Sequence, residues 1–341
     1  MPKFGVFLSC FFLALSVSAQ IGGKHTYQFL NLVSSPKQAA LGGKNITGYT
    51  YDPTSAFYNP STINWEMRNQ LSLNYVSYIG DVNYGSAAYA FELSRYAGIL
   101  QFGATYINYG TFDGYDEFGN ETGTFSGGEG ALSVGYSYNI PRSDFYLGAN
   151  LKLISSKLEQ YSSFGGALDL GITYLNEEQD LVVAGVIRNL GTQFTPYDDI
   201  YESIPLEVDL GVSQQIKDLP VRWHLTLQNL QQWKLAFRNK ARDEVDLDGN
   251  VDPDNPGFFN NVLRHVIFGV ELFPEGGFNI RLGYNFRRSE ELRIIDQRAF
   301  AGLSGGISVK FNKVRFSYTY AQYSSAGNSS FFGLNIDLDR D

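Results

Sequence analysis

Three groupings of residues have types and spacing that could do chemistry. Gly302-Leu303-Ser304-Gly305-Gly306 matches the G-x-S-x-G pattern, which exposes a nucleophilic serine only on a strand-turn-helix elbow. Here it runs on into Ile307-Ser308-Val309, a strand-like sequence, so Ser304 reads as one side chain in a strand. The chain has 3 histidines, His25, His224 and His265. His224 and His265 fall on consecutive strand-like segments in the same phase and are placed to approach each other. A metal or general-base role would need further ligands in register; otherwise the two are neutral members of a polar network. Asp246-Leu247-Asp248-Gly249-Asn250-Val251-Asp252 offers alternate oxygen ligands suited to Ca²⁺. It departs from the helix-loop-helix form, with glycine in the fourth place and Gly257 where a bidentate Glu belongs, and the alternative is an acidic solvated loop. No catalytic, cofactor-binding or metal-ligating residue is assigned from these groupings.

The segments that carry these residues alternate apolar and polar side chains. Phe332, Leu334, Ile336 and Leu338 share one face, with Gly333, Asn335 and Asp337 on the other. The same alternation marks Val221/Trp223/Leu225/Leu227, Phe278/Ile280/Leu282/Tyr284/Phe286, Leu206/Val208/Leu210/Val212 and Phe145/Leu147/Ala149/Leu151/Leu153. Segments of about ten residues with this period cross a bilayer as tilted strands, and only a closed sheet leaves no backbone group unpaired in lipid. Strands are predicted near 69–79, 82–93, 97–109, 126–139, 143–156, 161–174, 180–190, 205–215, 220–230, 263–273, 278–289, 301–311, 314–322 and 329–338. The fold class is therefore all-β, a single 14-stranded antiparallel transmembrane β-barrel over 69–341, with a large soluble sandwich or propeller as the alternative. Arg222, His224, Arg281, Arg287, Glu207, Asp209, Lys152 and Asp169 interleave with the apolar residues and are expected to face the lumen, because a basic residue facing mid-bilayer costs about 2–4 kcal/mol. Leu282→Arg should accordingly be damaging, and Gly283→Ala milder, because it adds only a methyl beside polar groups.

Loop lengths sort by side. Connections near 94–96, 140–142, 175–179, 216–219, 274–277 and 312–313 are short, whereas those near 110–125, 191–204, 231–262 and 290–300 are long. Short periplasmic turns and long outer loops are the usual asymmetry of such barrels. Lys3, the apolar run Phe4 to Val17 and the small residues Val17-Ser18-Ala19 form a secretory signal peptide over 1–19. It would remove Cys10, the chain's 1 cysteine, and with it any disulfide, thiolate site or cysteine nucleophile. The net charge of −9 becomes one more negative with the loss of Lys3, an unsuitable balance for nucleic acid. Fourteen strands enclose more room than the eight whose side chains fill the interior. Residues 20–68 are not strand-like, and Ser35-Pro36-Lys37-Gln38-Ala39-Ala40-Leu41-Gly42-Gly43 reads as a short helix start with a glycine stop. This segment is either a plug or a periplasmic tail.

Tyr51-Asp52-Pro53-Thr54-Ser55-Ala56-Phe57-Tyr58-Asn59-Pro60 resembles the element preceding the first strand in fatty-acid-channel-like (FadL-like) barrels. Gln20-Ile21-Gly22-Gly23-Lys24, Tyr27-Gln28-Phe29-Leu30, Ala39-Ala40-Leu41-Gly42-Gly43, Asn69-Gln70-Leu71-Ser72-Leu73-Asn74-Tyr75 and Asp116-Glu117-Phe118-Gly119-Asn120-Glu121-Thr122-Gly123 together resemble the branch of that superfamily serving type IX protein secretion. The likeness runs over essentially the whole mature chain. It departs from barrels generally at Leu338-Asp339-Arg340-Asp341, where many end in an aromatic residue. The resemblance implies a non-enzymatic outer-membrane barrel without cofactors that holds a large PorZ-like surface protein of the attachment complex, which joins secreted cargo to lipopolysaccharide. Its partners would then be outer-membrane lipid, that surface protein and lipopolysaccharide, with no nucleic acid. The competing class is an outer-membrane transporter of hydrophobic small molecules, which needs a continuous apolar path; the interleaved charges favour the scaffold. A hydrolase would need a nucleophile and base that the chain does not offer together.

Overall fold

The computed structural model describes residues 25–94, 97–236, 244–245, 251–252, 256–292, 301–324 and 327–339. The leader with Cys10, residues 20–24 and Asp246 to Asn250 of the acidic loop lie outside them.

Alternation of side chains makes the sheet. Fourteen strands close into one antiparallel barrel. They are β1 (Gln70–Ser77), β2 (Asn83–Ser94), β3 (Gly98–Tyr115), β4 (Glu121–Asn139), β5 (Phe145–Leu158), β6 (Tyr161–Asn176), β7 (Leu181–Thr195), β8 (Glu207–Gln215) and β9 (Val221–Leu227), then β12 (Val266–Leu272), β13 (Phe278–Asn285), β14 (Leu303–Phe311), β15 (Val314–Ser324) and β16 (Gly327–Asp337). Two residues each of β10 (Glu244–Val245) and β11 (Val251–Asp252) form a separate ladder in the longest loop. β1 pairs with β16 from Gln70↔Asp337 to Ser77↔Ser330, which closes the seam.

The outer face is apolar along its whole middle. Leu132 is 64% exposed, Leu151 56% and Leu282 52%, and Phe102, Leu210, Ile307 and Phe332 are exposed with them. A continuous apolar band of this kind has no place in water. Tyr138, Phe145, Phe273, Phe278 and Phe311 ring the end with the short turns, and Tyr75, Tyr106, Phe164, Phe194 and Tyr320 the opposite end. Such girdles mark the two membrane interfaces. The chain is thus an outer-membrane barrel whose short turns face the periplasm.

Three boundaries differ most from expectation. The segment 110–125 is not a loop: β3 and β4 continue past the wall as a hairpin, with Phe112 stacked on Phe125 at 5.4 Å. Asp116 closes its turn, accepting from the backbone of Phe118 and Asn120 and from the Asn120 side chain, and these bonds, the Asn120 side chain first, hold its carboxyl below the usual range. Beyond the bilayer no apolar face is required, so the period-two signal fades although pairing continues. β7 likewise runs on to Thr195. By contrast β13 stops at Asn285, whose Oδ1 accepts from Arg288 N (3.0 Å) and starts a short helix, Phe286–Glu291. Arg287 therefore does not face the lumen from a strand; it sits on that helix, paired with Glu291 at 2.7 Å.

Candidate functional site: the occupied lumen

Proline and Asx residues shape the N-terminal segment. Three of its turns begin where a side-chain oxygen accepts from a backbone N–H of the first turn. Asp52 Oδ1 accepts from Thr54 N, Asn59 Oδ1 from Ser61 N and Asn64 Oδ1 from Glu66 N. Pro53 and Pro60 fix the first helical residue behind two of these caps. Turns this short pack without strands and leave side chains free to reach the wall.

These residues pass through the barrel from mouth to mouth. His25 bridges Ser203 in the outer loop between β7 and β8, and Tyr27 Oη meets Ser163 near the start of β6. The helix Pro36–Ala40 lies against β13 to β16. Trp65–Met67 emerges at the periplasmic end and leads into β1. Residues 25–68 are thus a plug and not a periplasmic tail. Asp52 fastens it to the seam: the same Oδ1 accepts from Ser72 Oγ on β1 (2.9 Å) and Asn335 Nδ2 on β16 (3.2 Å). Asn59 reaches Thr173 Oγ1 on β6 at 3.1 Å.

Wall glycines admit the plug backbone. A methyl on Gly283 would overlap the Gly42 nitrogen and the Leu41 carbonyl carbon, and would lie 2.6 Å from Ala40 O. The expected surroundings of Gly283, polar groups with room for a methyl, are not what the structure has: the lumen-facing neighbour of Leu282 abuts main chain that cannot rotate away. Gly148 stands in the same relation to Pro60 and Ser61.

Buried charges bind plug to wall. Lys44 of the plug pairs with Glu207 on β8, which also takes Arg188 from β7. Arg188 lies 3.7 Å from Asp209, and Lys152 is 2.7 Å from Asp169. A second group joins Arg281 to Glu271 at 2.7 Å, with His224 Nε2 3.8 Å from Glu271. Arg288 donates to Gly42 O and lies 4.0 Å from the centre of the Tyr323 ring. Glu207, Asp209, Lys152, Asp169, His224 and Arg281 are all buried in the lumen, and Arg222 is half-buried, donating to Gln215 Oε1. Sequence reasoning missed Lys44, Arg188, Glu271 and Arg288. Arg188 and Glu271 were open to it, because each is a charge in the inward phase of a strand whose outward residues are apolar.

Ser304 and the two histidines are not brought together, and Asp246 to Asn250 of the acidic grouping lie outside the described residues. Ser304 is buried and its hydroxyl is directed at Ala40 O (3.1 Å) and Gly283 O (3.3 Å), which ties it to plug and wall. His224 contacts Asn45 and Thr47 of the plug. His265 lies outside the lumen network, between Gln228 O (2.7 Å) and Trp233 O (3.1 Å). The residue opposite His224 is Gly269, four positions from His265 and so about 13 Å along the strand. The two histidines do not meet. An apolar cavity of about 50 Å³ lies beside Phe29, Leu32, Phe57 and Ile107.

The outer mouth carries exposed aromatic residues in two places. Trp233 stacks on His265 at 5.5 Å and meets Phe258 at 5.7 Å, with Phe259 80% exposed beside them. Asn261 ties this loop's two ends, receiving from Leu235 N and Ala236 N and donating to Trp233 O. Phe237 lies outside the described residues. At the tip of the β3–β4 hairpin Phe118 is 88% exposed.

No protein-family model matches the chain, and no curated protein matches it. Among solved structures it is similar to the toluene transporter TbuX of Ralstonia pickettii, with 14% identity over 90% of this chain and 98% of that one and a TM-score of 0.49. It is also similar to the KdgM porin, with 8% identity over 79% of this chain and 99% of that one and a TM-score of 0.33. The geometry of the wall and its contents identifies the chain as an outer-membrane β-barrel whose lumen is filled by its own N-terminal segment.

Proposed function

We propose that this chain is a PorQ-like scaffold of the type IX secretion system that holds a PorZ-like surface protein for the attachment of secreted cargo. The observation that carries this reading is the lumen, which is crossed end to end by a plug fastened through Asp52, Lys44 and Asn59. A scaffold has no need of a clear passage, and a transporter does. The exposed aromatic residues around Trp233 and Phe258, rimmed by polar ones, have the composition of a binding surface. Replacing residues 231–262 with a short turn tests the reading. The expected result is a barrel at normal levels with the surface partner released into the medium. A partner that stays on the cell would exclude this loop as the anchor, and the hairpin and the 196–206 loop would be tried next. If no surface protein accompanies the barrel purified from its native membrane, the scaffold reading fails.

The second reading is a transporter of hydrophobic small molecules, favoured by the small apolar cavity and by the register shift in β3 between Asn108 and Thr111. That cavity is far below the ~300–1,000 Å³ of small-molecule sites, so transport would require the plug to move. Uptake of a labelled hydrophobic solute that depends on this barrel would favour this reading.

A further inference from the structure

The outer wall is not uniformly convex. Across β3 to β6, one row of outward residues reads Tyr106, Gly130, Ser155, Phe164, each paired with the next. Two small residues stand between two aromatic ones; the Tyr106 ring leans over Gly130 and Gly128, which leaves the space on the Ser155 side. The next row toward the outer mouth has Gly128 opposite Lys157, and the row below has Leu132 opposite Leu153. The result is a recess of about 1150 Å³ on the face that elsewhere is filled by leucine and phenylalanine. It is larger than a usual small-molecule site. Its lower end is apolar, and its upper end leaves the apolar belt at Ser155 and reaches Lys157. Among the described residues Lys157 forms no ion pair, and it is exposed. Glu159, in the turn to β6, lines the same upper end.

The lower part of the recess, over Leu132 and Leu153, lies in the lipid-facing wall and is filled by lipid, because unoccupied space there would forfeit dispersion contacts, while the upper part is lined by Ser155, Lys157 and Glu159. Long side chains reach from such positions toward the interface with their charge outward. The long-loop end of the wall lies in the outer leaflet, whose lipid carries several acyl chains and phosphate groups. The geometry points to a binding site for lipid A: its chains lie between the Tyr106 ring and Phe164 over Ser155, Leu132 and Leu153, and one phosphate meets Lys157. This inference rests on the barrel alone and stands whether or not the chain anchors a surface partner.

The test is native mass spectrometry of the full chain extracted from its own outer membrane in mild detergent. The wild-type barrel retains lipid A. Lys157→Glu lowers the retained fraction by roughly five-fold, the factor equivalent to about 1 kcal/mol for one basic residue near an anionic membrane surface. Ser155→Trp fills the recess and lowers it likewise, whereas Leu210→Trp on the outer face of β8 leaves it unchanged. Heat-modifiable migration on gels confirms that each variant is folded; should Ser155→Trp not assemble, the exposed Lys157→Glu decides, together with the weaker retention expected of dephosphorylated lipid A added to the wild-type barrel. Equal retention in Lys157→Glu and wild type overturns the proposal. So does retention of phosphatidylethanolamine in place of lipid A.

Discussion

Leu282 and Gly283 are neighbours in β13 and face opposite media. Leu282 looks outward, where lipid fills any space a side chain leaves. Gly283 looks inward, against the main chain of Leu41 and Gly42. The same contrast holds around the barrel: outward positions ask only for apolar character, while inward ones ask for a particular size, charge and hydrogen-bonding group. Specific information is therefore concentrated on the inner face and in the plug. This explains why the outer pattern is simple to read and the inner one is not.

The contrast is sharpest where charge is buried. Glu207→Ala leaves Lys44 and Arg188 facing each other without their shared carboxylate, and the loss should be about 3–5 kcal/mol, as for a broken buried pair. Urea unfolding of the barrel in lipid vesicles would measure it, and a change as small as that of an outer-face substitution would mean that the plug charges do not hold. Leu282→Arg comes next, at about 2–4 kcal/mol, through the cost of a guanidinium in hydrocarbon. Gly283→Ala should follow at about 1–3 kcal/mol, the usual range for overpacking, read as an earlier loss of heat-modifiable migration. Leu282→Ala should be smallest, within about 0.5–1 kcal/mol, since surface positions away from special features tolerate change and lipid closes over the vacancy. If Leu282→Ala proved worse than Gly283→Ala, the two faces would have been assigned the wrong way round.

Much of the barrel was legible because lipid imposes a strict period on it. The strand positions, their number, and the lumen phase of Glu207, Asp209, Lys152, Asp169, His224 and Arg281 all follow from alternation. Where lipid stops, so does the signal: the β3–β4 hairpin reads as a loop, and Arg287 reads as the end of a strand although Asn285 caps a helix there. The plug was legible only in part. Pro36 and the glycine pair at 42–43 announce the short helix, but its partners are set by three-dimensional approach. Neither Asp52 at the seam nor Lys44 at Glu207 has a spacing in the sequence that points to its partner. The glycine at 283 shows the same limit from the other side, because a residue without a side chain carries no sign of what lies against it.

The central claim is that residues 25–68 stay in the lumen and close it. Planar-bilayer recording of the full-length barrel tests this most directly. The account predicts no stepwise ion conductance at moderate voltage, since plug and wall are joined along the whole passage. Sustained steps of the size seen for an open porin would contradict it.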